Sequence, residues 1–255
     1  MIQNIHIIGN SLPEGDFYLH SRFKRVSNFQ NAANEIVFIT NEPTNCAANG
    51  IYIIDNKLDE IKSIHINETS IRLNEFTIQR SECNLYDAKI DFGQSRFDNL
   101  ENWLLAIPST YLSIFPRMSL VVLLQPENEQ YFTSTFDAIF LKNAKNALAS
   151  MLSGEVLAGI KTIKGTGYGL TPSGDDFIAG LLLGSFFTEK KQHTDLSRFR
   201  SEIIKLAKSS NNLTNSFIYN ASKGFFHQAF KNFLYLYPEI FEQEIRLKSL
   251  LSHGE

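Results

Sequence analysis

The sequence predicts an α+β protein: a β-rich N-terminal part, barrel- or sandwich-like, followed by an α-helical C-terminal part with a central buried helix. Three observations carry this. Short β-branched and aromatic runs, bounded by Asn, Gly and Pro, crowd the first part of the chain. From about residue 136 the apolar period changes to that of a helix. Finally, the apolar run "FIAGLLLGSFF", 177–187, follows directly on a cluster of helix-start residues.

In chain order, "GNSLPEG" (9–15) is most simply a turn, and "NEIVFIT" (34–40) and "NGIYIID" (49–55) read as strands. "SIHINETSIRL" (63–73) alternates with a break, and "EFTIQR" (75–80) and "YDAKIDF" (86–92) look similar. Many short strands at close spacing favour a barrel or sandwich over a doubly wound sheet. "RFDNLENWLLAI" (96–107) is a helix that Pro108 would end, and "SLVVLLQP" (119–126) is a strand or a buried helical segment. Phe136, Ile139, Phe140, Ala144, Ala147, Leu148, Met151 and Leu152 share one helical face, and Gly154 is the stop. Further helices are expected at about 173–189, 195–209, 214–235 and 238–251. The β-rich part is placed at 1–110 and the helical part at 111–255.

The 255 residues carry a formal net charge of −3 and are 43% hydrophobic, enough for a real core in one large domain or two small ones. So even a charge balance gives no basic face for nucleic acid. Cys46 and Cys83 are too few for a disulfide scaffold and suit a reducing compartment. The start lacks a basic segment leading into an apolar one, and the longest apolar run is too short to cross a membrane. The expectation is a soluble, cytoplasmic, bacterial-type protein with neither a nucleic-acid nor a membrane partner. The six histidines are scattered without zinc-ligand spacing, and His227 reads as a packing or surface residue.

The chemistry concentrates in "GTGYGLTPSGDDFIAG", 165–180. Gly165, Gly167 and Gly169 admit positive φ and let a ligand approach bare backbone. A helix then begins, with Thr171 as N-cap and Pro172 in the first position, or with Ser173 as cap and Asp176 closing a capping box. Its N-terminus, with unpaired N–H groups and a partial positive charge, suits an anion such as phosphate or carboxylate. Asp175 and Asp176, about 100° apart on the helix, would divide the work. One would hold the loop. The other would face the site, as a ligand for Mg²⁺, an acceptor for a substrate N–H, or a base. Lys161 and Lys164 either neutralise a phosphate or form a solvated helix end. The following helix is apolar all round, hence buried, with Gly180 and Gly184 permitting close helix contact. P-loop and Rossmann readings fail: no Lys follows Gly174, and the G-x-G-x-G spacing follows a helix.

Gly165, Gly167, Gly169, Leu170, Thr171, Pro172, Ser173, Gly174, Asp175, Asp176 and Gly180 match the G-x-G-x-G-L-T-P-S-G-D-D signature of a bacterial family catalogued as a domain of unknown function and also labelled as carboxylases. One branch resembles a subunit of the oxamate carbamoyltransferase of allantoin breakdown, which works with acyl-CoA-synthetase-like and other partner subunits. "YLHSRFKRVSNFQNAANEIVFIT" (18–40) resembles the family's N-terminal part. "LTNSFIYNASKGFF" (213–226) resembles a later motif, with Thr214, Ser216, Ala221 and Gly224 as counterparts. The resemblance implies a transferase-type subunit that binds a small anionic metabolite such as carbamoyl phosphate. Asp175 and Asp176 would be catalytic or Mg²⁺-binding. Gly165, Gly167, Gly169, Thr171, Ser173, Gly174, Thr214 and Ser216 would bind substrate. The family pattern continues past a His-Gly-like turn into a second Ser-Gly-x-Asp helix start, whereas this sequence ends at "LLSHGE". That departure favours the alternative of a non-catalytic, metabolite-binding partner subunit. The carboxylase label finds no biotin or ATP motif here.

Overall fold

The computed structural model describes residues 5–54, 57–94, 97–98 and 115–235. The chain divides into two compact units, Met1–Ile90 with Phe225–Leu234, and Asp91–Gly224 with Tyr235–Glu255.

The first unit is a single curled nine-stranded sheet, half of a barrel rather than two packed sheets. Its strands are β1 (Ile5–Gly9), β2 (Gly15–Arg22), β3 (Val26–Gln30), β4 (Ile36–Thr40), β5 (Gly50–Ile53), β6 (Ser63–Ile66), β7 (Ser70–Leu73), β8 (Phe76–Gln79) and β9 (Asn84–Tyr86). They lie in the order β8-β7-β6-β2-β3-β4-β5-β1-β9, antiparallel except for β4–β5 and β1–β9. Period-2 alternation sends Phe17, Phe29, Ile39, Ile51, Ile64, Ile66, Ile71 and Leu73 into one buried cluster. The break in "SIHINETSIRL" is the β6–β7 turn, where the Asn67 carboxamide oxygen accepts the Thr69 and Ser70 N–H groups at 3.0 and 2.7 Å. β1, β2 and β3 were not legible as separate strands. β2 puts Tyr18, Leu19 and His20 in solvent, and a register shift between Leu19 and Ser21 disrupts its alternation. "YDAKIDF" is not one strand: β9 ends at Tyr86, and only an isolated bridge joins Lys89 to Phe225. Cys46 is buried, which pushes its thiol up to about 11 and leaves it an inert packing group.

The second unit is helical. Its described helices are α1 (Thr135–Leu152), α2 (Val156–Ile163), α3 (Ser173–Gln192), α4 (Ser197–Ala207) and α5 (Asn212–Ser222). A sixth, α6 (Gln228–Tyr235), lies almost wholly in the stretch that returns to the first unit. "SLVVLLQP" is neither strand nor α-helix but a 3₁₀ turn over Leu120–Leu123. α1 opens on a capping box between Ser134 and Asp137, and Gly154 follows its end at φ 92°. Its buried stripe is Asp137, Phe140, Ala144 and Ala147, while Phe136, Ile139 and Leu152 are exposed. The buried face is thus rotated from the one expected, because the capping carboxylate is itself buried. The helix expected over 214–235 is two, α5 and α6, broken at Gly224 with φ 78°. α3 buries Ile178, Ala179, Leu182 and Leu183. A Cβ at Gly180 or Gly184 would meet nothing within 4 Å, so neither glycine serves close helix contact among the described residues. The expected helices over 96–107 and 238–251 lie almost entirely outside the described residues. None of the described helices is long and apolar enough to cross a membrane.

Candidate functional site

The stretch 165–172 connects α2 to α3 as a loop. Gly165, Gly167 and Gly169 all take positive φ, at 67°, 101° and 96°. At Gly167 the lack of a side chain is also steric: a Cβ would come within 2.9 Å of the Phe140 ring and of Ser173. Gly174 is more tightly bound, since a Cβ there would lie 1.9 Å from the Ile163 carbonyl oxygen. The absence of that carbon lets the first turn of α3 sit against the last turn of α2. The Gly174 N–H reaches the Thr166 carbonyl at 2.9 Å, and the Thr166 hydroxyl donates to the Ile163 carbonyl at 2.6 Å.

The two aspartates do different things. Asp175 is buried and accepts the Gly165 N–H at 2.8 Å, tying the start of the loop to the start of α3. Burial raises its carboxyl, opposed by that N–H and by the charge on Lys164. Asp176, its neighbour, is exposed. Its carboxyl is pushed up to about 6, first by the crowding of protein around it and then by the charge of Asp175, against a hydrogen bond from the Thr171 side chain. Because Asp176 also meets solvent, water offsets part of that rise. The direction is the firm result: an outward carboxylate whose charge is incompletely compensated.

The helix start differs from both capping arrangements read from the sequence. Pro172 occupies the N-cap, no side chain caps α3, and Ser173 is the first helical residue. The Thr171 side chain instead faces the Asp176 carboxylate and opposes the rise of its pKa. Nor are the first N–H groups of α3 all unpaired: of the first four, only that of Ser173 makes no hydrogen bond among the described residues. Gly174 donates to Thr166, and Asp175 and Asp176 donate to the Pro172 carbonyl at 2.7 and 3.2 Å. The other unengaged donors lie earlier: among the described residues, the loop N–H groups of Gly167, Tyr168, Gly169, Leu170 and Thr171 make no hydrogen bond. Successive free N–H groups in a backbone alternating through positive φ are the elements from which anion-binding concavities are built.

Lys164 is neither a solvated end nor a phosphate ligand. Its ammonium donates to the Leu206 and Lys208 carbonyls at 2.8 and 3.4 Å, closing the C-terminus of α4.

Two contacts that hold the loop were missed in the sequence. Asn211 caps α5, accepting from Leu213 and Thr214 N–H at 3.0 and 3.3 Å, and its amide donates to the Leu170 carbonyl at 3.2 Å. Its signal was present, an Asn directly before a helical period. Tyr168, at the tip, lies edge-on to Phe136 and Phe140 with ring centroids 5.1 and 6.0 Å apart. Nothing in the spacing announced that pairing. Thr214 is fully buried in the first turn of α5, and its hydroxyl finds no partner among the described residues. Ser216 is half-buried two positions on, about 200° round the helix, so the two do not share a face.

The class of protein defined here is a helical unit carrying a glycine-hinged loop, tied down by a buried aspartate, with a second aspartate exposed beside it. Residues 163–255, a segment that begins at the last residue of α2, match the model of a family described as oxamate carbamoyltransferase subunit AllH. No curated protein and no solved structure matches the chain.

Proposed function

We propose that the chain is a subunit of an oxamate carbamoyltransferase-like enzyme, and that the loop 165–172 receives its small anionic substrate, of which carbamoyl phosphate is the type. The observation that supports this most directly is the split between Asp175, buried and bonded to Gly165, and Asp176, exposed beside five unengaged N–H groups. The free N–H groups take the phosphate or the negative charge that develops on a carbonyl oxygen. Asp176 takes the positive or hydrogen-bearing end, the carbamoyl –NH₂. This answers the repulsion that a bare anion beside two carboxylates would suffer.

Mg²⁺ fits the same position only in company. Among the described residues no three His, Cys, Asp or Glu side chains gather into a metal site, and Asp175 has one oxygen committed to Gly165. Asp176 would supply one ligand, with substrate oxygens and water completing the shell.

A second reading has its own support. The matching family is described as a subunit, and a single exposed carboxylate, Asp176, stands beside the loop. In this reading the chain holds the metabolite while a separate subunit, acyl-CoA-synthetase-like by the family resemblance, carries the chemistry.

The test is a thermal-shift screen of the full chain with phosphate, carbamoyl phosphate and oxamate, each with and without Mg²⁺. A ligand at about 100 times its Kd adds roughly 2.7 kcal/mol of stability. We expect a shift with at least one anion that is absent in Asp176→Ala. Equal shifts in wild type and Asp176→Ala would sink the assignment of that residue, and no shift in either would sink the site in the isolated chain. Activity that appears only after a partner subunit is added selects the second reading.

A further inference from the structure

The first unit holds a polar cluster that the loop's function does not use. Register pairing places Asp16 of β2 opposite His65 of β6, and His65 opposite Arg72 of β7. The three are far from evenly spaced in the sequence, and only the strand order β7-β6-β2 makes them a row. All three stand on the face opposite the apolar core, since their neighbours Phe17, Ile64, Ile66, Ile71 and Leu73 are the buried ones. The His65 Nδ1 lies 2.7 Å from an Asp16 carboxylate oxygen. That contact fixes the ring and leaves Nε2 as its outward nitrogen. Arg72, directly across on the other side, is exposed and makes no hydrogen bond or ion pair among the described residues. Directly opposed side chains on antiparallel strands start about 5 Å apart, so Nε2 and the guanidinium can converge on one group. Asp16 stands two strands from Arg72, about 10 Å away at the usual strand spacing, with the imidazole between. Tyr18 and Ser63, opposite each other in the next row, help to bound a recess of about 110 Å³ lined by these side chains. That is space for three or four waters.

We propose that this recess binds a small oxyanion, a carboxylate or a phosphate, between the Nε2–H of a charged His65 and the guanidinium of Arg72. The row without a ligand sets two cations side by side when His65 is charged. An oxyanion between them makes the charges alternate: Asp16 negative, His65 positive, ligand negative, Arg72 positive. Asp16 accepts from Nδ1–H and orients the ring so that Nε2–H points outward. Arg72 supplies the planar pair of donors that matches a carboxylate or phosphate edge. Tyr18 and Ser63 limit the ligand to a small group. The alternative, an exposed cross-strand ladder worth a fraction of a kcal/mol, has no use for a ligand.

The experiment follows the His65 imidazole resonances of the ¹⁵N-labelled full chain at pH 6, where an ordinary imidazole is mostly charged. Inorganic phosphate and, separately, acetate are titrated in at constant ionic strength. We expect a saturable shift at His65, with affinity reduced tenfold or more in Arg72→Gln and reduced as well in Asp16→Asn. Both variants change exposed side chains, and unchanged backbone spectra confirm their fold. Saturation with phosphate alone assigns a phosphoryl ligand, and with acetate alone a carboxylate. A shift that grows linearly with either salt, or a titration curve unaltered by Arg72→Gln, overturns the proposal. The signal belongs to His65, so an anion taken at the loop 165–172 does not enter it.

Discussion

Gly174 is the residue on which the loop geometry most depends. Its missing side chain allows the Ile163 carbonyl to approach to 1.9 Å of where a Cβ would sit, and that atom is backbone that cannot swing away. Gly174→Ala therefore forces α2 and α3 apart, and we expect a loss of about 3 kcal/mol or more by urea unfolding. Asp175→Ala removes the acceptor of the Gly165 N–H from a buried position and is expected to cost about 1–3 kcal/mol. Asp176 behaves in the opposite sense. Its carboxyl is raised to about 6, so the folded state holds its proton more tightly than the unfolded chain does. Its contribution to stability is greatest at low pH and is lost as pH rises through the ordinary carboxylate range towards 6. Asp176→Asn should therefore be more stable than wild type at pH 7.5, by about 1 kcal/mol after allowance for solvent, and indistinguishable near pH 3.5. Urea midpoints at the two pH values decide it.

Among the elements, α3 and α5 show what a sequence can and cannot announce. Gly180 and Gly184 stand in open space within α3, so Gly180→Ala relieves backbone entropy without a clash and should stabilise by about 0.5–1 kcal/mol. The start of α3 was legible from Thr171, Pro172, Ser173 and the acids of its first turn, because those residue types have few other uses together. Its cap was not: Pro172 takes the N-cap, and the Thr171 side chain turns to the Asp176 carboxylate without accepting any N–H of α3. β4 and β5 were legible as β-branched and aromatic runs between turn residues and β6 to β8 from alternation, whereas β2 was hidden by exposed Tyr18 and Leu19. The division of labour between Asp175 and Asp176 followed from helical spacing, but which is buried depends on α2 packing against Gly174, a contact between segments that no local pattern encodes. Nor could any local pattern show that Asn211 reaches Leu170. Asn211→Ala should cost about 1 kcal/mol through the cap alone. It should also speed hydrogen exchange at Gly165 and Thr166, the two hydrogen-bonded amides of the loop, where an isolated capping role would leave exchange unchanged.

For the whole molecule, the telling feature is the stretch Phe225–Leu234, which belongs to the β unit although the helices come between. The Phe226 N–H donates to the Ala88 carbonyl at 3.0 Å, the Gln228 N–H to the Cys46 carbonyl at 2.8 Å, and the Tyr86 hydroxyl to the Phe226 carbonyl at 3.1 Å. The Phe226 ring lies tilted against that of Phe230, with centroids 5.1 Å apart. These bonds are absent from a fragment ending at residue 90, which should bind a hydrophobic dye and unfold at lower urea than a fragment in which 225–234 is rejoined by a short linker. Equal midpoints for the two fragments would show the stretch to be dispensable. On the ribosome the same arrangement imposes an order of events. The nascent sheet emerges early and waits, for roughly seven to twenty-seven seconds at about 5–20 residues per second, while the intervening residues Asp91–Gly224 are made. Throughout that interval its seam beside Cys46 and Ala88 is unsealed, so the period of greatest exposure to chaperones and to misassociation falls on the segment translated first.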